Sequence, residues 1–211
     1  MFARSCAQSA IRIGGIESHT LTQTSRKELS GGGNYKPVCL DCGAHAGLVS
    51  DIILHCGGVS YAFEPNIYLH AILAHKYANN PDVVLYNKAV DERNYRTKFL
   101  QDGSGIVGQG NGIIADARDT QESYEVEVVD VSEIIESLIK EHGRIYLLKL
   151  DVEGAEFGIM EKILDKGLHE YIEYIACETH EQFFSDGDTK ITHLKERIAK
   201  LGASNILLDW I

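Results

Sequence analysis

Asp41-Cys-Gly-Ala-His-Ala-Gly47 begins with a carboxylate and then places glycines two and six residues on. Gly43 permits a tight turn, and its missing Cβ lets a ligand reach the backbone. Gly47 lets a following helix pack close. A dinucleotide loop presents bare N–H groups to a pyrophosphate. Asp41 in the first position would repel that anion. It suits a cationic or zwitterionic ligand, such as one bearing an amino group, directly or through water. By itself the D-x-G-x-x-x-G spacing marks only a strand-to-helix turn. Glu64 follows 17 residues beyond Gly47. An acid at that place accepts two hydrogen bonds from a ribose diol and disfavours a phosphorylated ribose. Loop, spacing and acid together point to a nucleoside whose other end carries an amino acid.

A second group lies in Lys149-Leu-Asp-Val-Glu-Gly-Ala-Glu156, where three carboxylates fall within six residues. Acids at a strand-to-helix junction favour the helix N-terminus, which accounts for Glu153 and Glu156. Asp151 ends an apolar strand and is not explained in that way. A hard cation would accept these oxygens, but capping explains them without one, and no metal is expected. His180 stands just beyond a later strand, and an imidazole of ordinary pKa near 6.5 suits proton transfer.

The elements that must carry these residues alternate. Strands are predicted at Val38 to Asp41, Val59 to Phe63, Val83 to Tyr86, Ile145 to Leu150, Ile172 to Glu178 and Asn205 to Trp210. Between them lie helices at Leu48 to Cys56, Ile67 to Ala78, Val131 to Glu141, Gly154 to Leu164 and Ile191 to Leu201. The second helix is expected to bury Ile67, Ala71, Ala74 and Ala78. Thr97 to Leu100 and Glu125 to Val129 alternate polar and apolar residues, as antiparallel edge strands around a glycine-rich loop at Asp102 to Asp119. Strands alternating with helices make an α/β fold, a mostly parallel sheet covered on both faces. Ligands then bind beyond the carboxyl ends of the strands, where the strand order reverses. Residues 1–35 read as an N-terminal cap with one short helix, and residues 36–211 as one domain.

Composition narrows the classes. Of the 211 residues 44% are hydrophobic and 24% charged, which supports one full core. A formal net charge of −11 opposes approach to a polyanion, so nucleic acid is not the expected partner. No apolar run reaches the roughly 20 residues needed to span a bilayer. Five cysteines, an odd count at irregular spacing, do not suggest a disulfide framework and fit a reducing, cytoplasmic location. Cys39 and Cys42, three apart with Cys39 in a strand, would send their sulfurs to opposite faces. Arg4 and Arg12, with no acid before Glu17, faintly resemble a transit peptide; a cap is the preferred reading.

The segments Cys39 to Gly47, Phe63-Glu-Pro-Asn66, Asn87-Lys-Ala-Val90, Leu148 to Glu156 and Glu178-Thr-His180 together resemble the FkbM-type methyltransferases. The K-x-D-x-E-G-x-E string is the most distinctive of them. The resemblance covers about residues 36–182. It implies a Rossmann-like methyltransferase fold and S-adenosyl-L-methionine as cofactor, bound by Asp41, Gly43, Ala44, His45, Gly47, Glu64, Asn66 and Asp151. It implies a hydroxyl acceptor, on a sugar or another small molecule or glycan. Three departures stand out. That family commonly has Asn where His45 stands, Cys42 replaces a usual Val or Ile, and no seventh strand is read. A sulfonium donor is already activated, so the protein mainly aligns the reactants. A neutral hydroxyl still needs a base, for which His180, Asp151 and Glu153 are the candidates. The alternatives are an NAD-dependent oxidoreductase, which Asp41 argues against, and a non-catalytic Rossmann-like binding protein, which the intact acids argue against.

Overall fold

The structure is a computed structural model, and it describes residues 36–100 and 123–208. The N-terminal cap, the loop at Asp102 to Asp119 and the end of the last strand lie outside those residues. Six strands form one parallel sheet: β1 (Val38–Cys42), β2 (Val59–Phe63), β3 (Val83–Tyr86), β7 (Ile145–Leu150), β8 (Ile172–Cys177) and β9 (Ile206–Leu207). Their order is β3-β2-β1-β7-β8-β9, every pair parallel. The order reverses between β1 and β7, so the crevice opens above those two strands. All five residues of β1 are buried, as a strand covered on both faces requires. Cys39 and Cys42 both lie inside β1 as free buried thiols, so Cys42 ends the strand and is not in the turn.

Among the described residues five α-helices cover the sheet: α1 (Leu48–His55), α2 (Ile67–Lys76), α3 (Val131–His142), α4 (Glu156–Asp165) and α5 (Gly187–Leu201). The main core joins Leu40, Phe63, Ile135, Leu148, Leu150, Met160, Ile163 and Ile175, all nearly without solvent contact. The face expected of α2 is corrected. Ile67, Ala71, Ala74 and Ala78 are exposed, and Leu69, Leu73 and Tyr77 are buried. Both sets recur at helical spacing, and the larger side chains remove more apolar area from water. None of the described helices is long and apolar enough to cross a membrane.

The two alternating segments are not edges of the main sheet. They form β5 (Tyr95–Leu100) and β6 (Ser123–Asp130), antiparallel to one another, in a separate sheet with β4 (Ala89–Asp91) in the order β4-β6-β5. Alternation along a strand reports that one face is wet, and does not say which sheet the strand joins.

Asp130 ties this small sheet to the helical layer. It caps α3 by accepting from the Ser132 N–H at 2.9 Å and the Ser132 hydroxyl at 2.6 Å, and its other oxygen pairs with Lys162 of α4. Burial alone would raise its pKa, but Lys162 and Ser132 outweigh that and hold it below the usual aspartate value. A depressed folded pKa gives stability that is complete above the unfolded value and lost as pH falls through the folded one. Asp130→Ala should therefore cost about 1–2 kcal/mol at pH 7. The variant should also show less acid-dependent loss below pH ~4. Urea denaturation at both pH values measures this.

Candidate active site

Asp41 is fourth in a wholly buried strand, and its side chain has no solvent exposure. Its Oδ2 accepts from the Ser50 hydroxyl of α1 at 2.7 Å, and Ser50 meets Ser60 of β2 at 2.9 Å. Its Oδ1 has no hydrogen bond and lies 3.7 Å from the Lys149 ammonium. A ligand cannot touch this carboxylate while the loop keeps this shape. Lys149 is also buried. It donates to the Gly43 carbonyl at 2.5 Å and the Cys42 carbonyl at 3.2 Å, and pairs with Asp151 at 3.1 Å. Burial works against its charge, but Asp41 and Asp151 outweigh this and hold its pKa above the usual lysine value. Lys149 therefore staples the turn after β1 to the turn after β7.

The loop after β1 is held at both ends. The Gly43 and Ala44 N–H groups donate to the Phe63 carbonyl at 3.0 and 2.9 Å. The His45 N–H donates to Glu64 Oε2 at 2.7 Å. Gly43 has φ +78°, and a Cβ there would lie 1.8 Å from the Asp151 carbonyl oxygen. Gly47 has φ +81°, and a Cβ would lie 2.6 Å from the Tyr77 hydroxyl, which donates to the Gly47 carbonyl at 3.0 Å. Gly43 is required by contact with backbone as well as by its angle; at Gly47 the angle requires glycine and the neighbours are side-chain ends. His45 also has positive φ, 48°. Asn and His are among the few side chains that tolerate this region, which makes His45 a compatible replacement for Asn.

Glu64 is 5% exposed, and its Oε1 accepts from the Asn66 N–H at 2.7 Å. Burial raises its pKa, opposed by the Asn66 and His45 N–H groups. A carboxylate has about four lone-pair sites, so both oxygens keep acceptor capacity. Asn66 serves as N-cap of α2, accepting from Tyr68 and Leu69 at 3.0 and 3.2 Å. Asn87 opens the Asn87-Lys-Ala-Val90 string. Its amide donates to the Glu64 and Pro65 carbonyls at 2.9 and 3.2 Å and so positions this turn.

Across the crevice, Glu156 is fully buried at the start of α4. It lies in the first turn, where an acid favours the helix N-terminus as the sequence suggests, but the N-cap position is Ala155 and no side chain bonds the cap. Glu156 turns back instead. It accepts from the Val152 N–H at 2.9 Å, the Gly154 N–H at 2.8 Å and His180 Nδ1 at 2.8 Å. This folds the turn so that Glu153 takes φ 58°, a strained angle for a residue with a side chain. Glu153 Oε2 then lies 3.3 Å from His180 Nε2, with Glu178 Oε1 at 3.9 Å. His180 is 5% exposed and stacks on Phe183 with centroids 5.2 Å apart.

Burial alone would lower the His180 pKa, but Glu156, Glu153 and Asp151 outweigh it and lift it to about 9. The histidine is thus cationic in the unliganded site at neutral pH, not the free base expected from an ordinary imidazole. Burial raises Glu153 to about 7; His180 opposes this, while Asp151, Glu156 and Glu178 add to it. Glu156→Gln should put an amide against one of the three donors and cost about 1–3 kcal/mol. It should also drop the His180 pKa toward 6.5, which an NMR titration of the imidazole would read.

Asp151, Glu153 and His180 are therefore brought together, and Asp151 borders the loop that carries Gly43. Sequence reasoning missed Glu156, Glu178, Lys149, Ser50 and Asn87 as site residues. Four of them stand in motifs already singled out; Ser50 had no signal beyond its place in α1.

The sheet order, the glycine loop after its first strand and the acid after its second define a Rossmann-like α/β domain. The Methyltransferase FkbM domain matches residues 41–203, and the chain belongs to that methyltransferase family. No curated relative matches the chain.

Proposed function

We propose that this protein transfers the methyl group of S-adenosyl-L-methionine to a hydroxyl of a sugar or other small-molecule or glycan acceptor. The observation that carries the reading is the packing of the Gly43 loop against Asp151, which sets the donor loop beside the acid-lined turn after β7. Glu64 holds the ribose diol with the acceptor capacity left on its oxygens. Gly43, Ala44, His45 and Gly47 form the wall along which the donor lies. Asp41 and Asn66 shape that wall from beneath. Asp41 acts through Ser50 and Lys149, and Asn66 acts by capping α2.

The acceptor oxygen attacks the methyl carbon in line as the carbon–sulfur bond breaks. Its proton passes to Glu153, whose side chain is 21% exposed and reachable. Asp151 orients the acceptor from the turn after β7. The net charge of −11 favours a small or neutral acceptor over a polyanion.

Calorimetry with S-adenosylhomocysteine and with NAD tests the donor: the first should bind and the second should not. Failure of S-adenosylhomocysteine to bind would overturn the reading. A screen of sugars and alcohols with methyl-labelled donor then finds the acceptor by mass spectrometry. With that acceptor, Glu153→Gln should lower kcat about 10²–10⁴-fold, with donor affinity unchanged.

A further inference from the structure

We propose that Asp151, Glu178 and His180 form a site for a divalent cation of the Mg²⁺ or Mn²⁺ class. Its catalytic meaning rests on the methyl-transfer reading; its existence does not. One ligand atom from each of the three residues lies within 4.8 Å of the others. The group is not a surface patch of acids, because its third member is a histidine only 5% exposed. The fully buried Glu156 holds His180 by Nδ1 at 2.8 Å, so Nε2 is the nitrogen turned to the carboxylates. A carboxylate on the far nitrogen is the arrangement that fixes the ring orientation of a metal-bound histidine. The backbone holds the ligands too. Leu150 and Cys177 are register partners on adjacent strands, and the Glu178 N–H donates to the Leu150 carbonyl at 2.9 Å. Asp151 and Glu178 therefore follow paired strand ends, and His180 lies two residues further on.

The charge balance points the same way. Four carboxylates, on Asp151, Glu153, Glu156 and Glu178, gather around Lys149 and the His180 ring; a cation on Nε2 would take the place of the ring proton, since a ligating imidazole is neutral. Lys149 engages Oδ2 of Asp151 at 3.1 Å, which leaves the second oxygen for a cation. Two carboxylate oxygens and one imidazole nitrogen suit a hard or borderline ion. A six-coordinate ion would keep about three positions for water or acceptor oxygens. Asp151 also borders the donor loop, since its N–H donates to the Cys42 carbonyl at 3.2 Å. An acceptor with two neighbouring oxygens, such as a vicinal diol, would occupy two positions beside that loop. The ion makes the bound hydroxyl more acidic. Its proton goes to Glu153, the oxygen electron pair forms the bond to the methyl carbon, and the carbon–sulfur pair stays on sulfur as the thioether.

The test is Mn²⁺ added to the full chain without donor or acceptor, with the signal of free aqueous Mn²⁺ read by electron paramagnetic resonance. One equivalent should be withdrawn from that signal. Glu178→Gln and Asp151→Asn should each weaken binding at least about tenfold, with far-UV circular dichroism unchanged. The Glu178 side chain is 38% exposed, so its replacement leaves the core intact. No withdrawal by the wild-type chain, or equal withdrawal by both variants, would overturn the site. The same samples are titrated with S-adenosylhomocysteine. Mn²⁺ binding without nucleoside binding keeps the cation site and removes the methyl-transfer reading; the reverse removes the site alone.

Discussion

Gly43→Ala should weaken S-adenosylhomocysteine binding at least about 100-fold, or about 2.7 kcal/mol, and lower the thermal midpoint. Two costs combine. The residue has φ +78°, and its new methyl would lie 1.8 Å from the Asp151 carbonyl oxygen. The left-handed angle alone costs an alanine about 1–2 kcal/mol. The contact cannot be relieved by turning a side chain, because the obstacle is backbone tied to Cys42 at 3.2 Å. The turn after β1 must therefore leave the turn after β7, and the wall assigned to the donor moves with it. Gly57→Ala is the control: its φ is +77°, and nothing lies within 4 Å of the added carbon. That variant should lose stability through the backbone angle and keep its affinity. Calorimetry and thermal unfolding on both variants separate the two costs. Affinity within about threefold of wild type for Gly43→Ala would mean that the donor lies elsewhere.

Lys149→Met should cost about 3–5 kcal/mol of folding stability, a large share of the roughly 5–15 kcal/mol of an ordinary domain. Methionine fills a similar volume, so the loss is electrostatic and not a cavity. Without the ammonium, the fully buried Asp41 loses the nearby charge at 3.7 Å, and the Cys42 and Gly43 carbonyls lose a donor. Asp41→Asn added to Lys149→Met should restore part of the loss, because removing both charges leaves neither one stranded. Urea denaturation of the two single variants and the double variant gives the coupling energy. A loss below about 1 kcal/mol in Lys149→Met would show that the staple is dispensable.

Local pattern was enough to determine the main elements. Val59–Phe63, Val83–Tyr86 and Ile145–Leu150 are bounded in the sequence as they are in the fold, because short apolar runs between glycines and polar turns have one economical conformation. The positions of Glu64 and Asp151 just beyond strand ends follow from those boundaries. The family, too, was legible in its short strings. What each carboxylate touches was not. Glu64 spends part of its capacity on the N–H groups of His45 and Asn66, and Asp41 is sealed under Lys149. The Lys149 contact with Gly43 joins residues 106 apart, and Glu156 reaches His180 across 24. No periodicity encodes such pairs; they exist only once parallel strands bring their ends together. The buried face of α2 and the separate sheet of β4, β5 and β6 were likewise decided by tertiary packing. Both helical stripes, and both edges, satisfy the local pattern equally well, and only the choice between them removes more apolar surface from water.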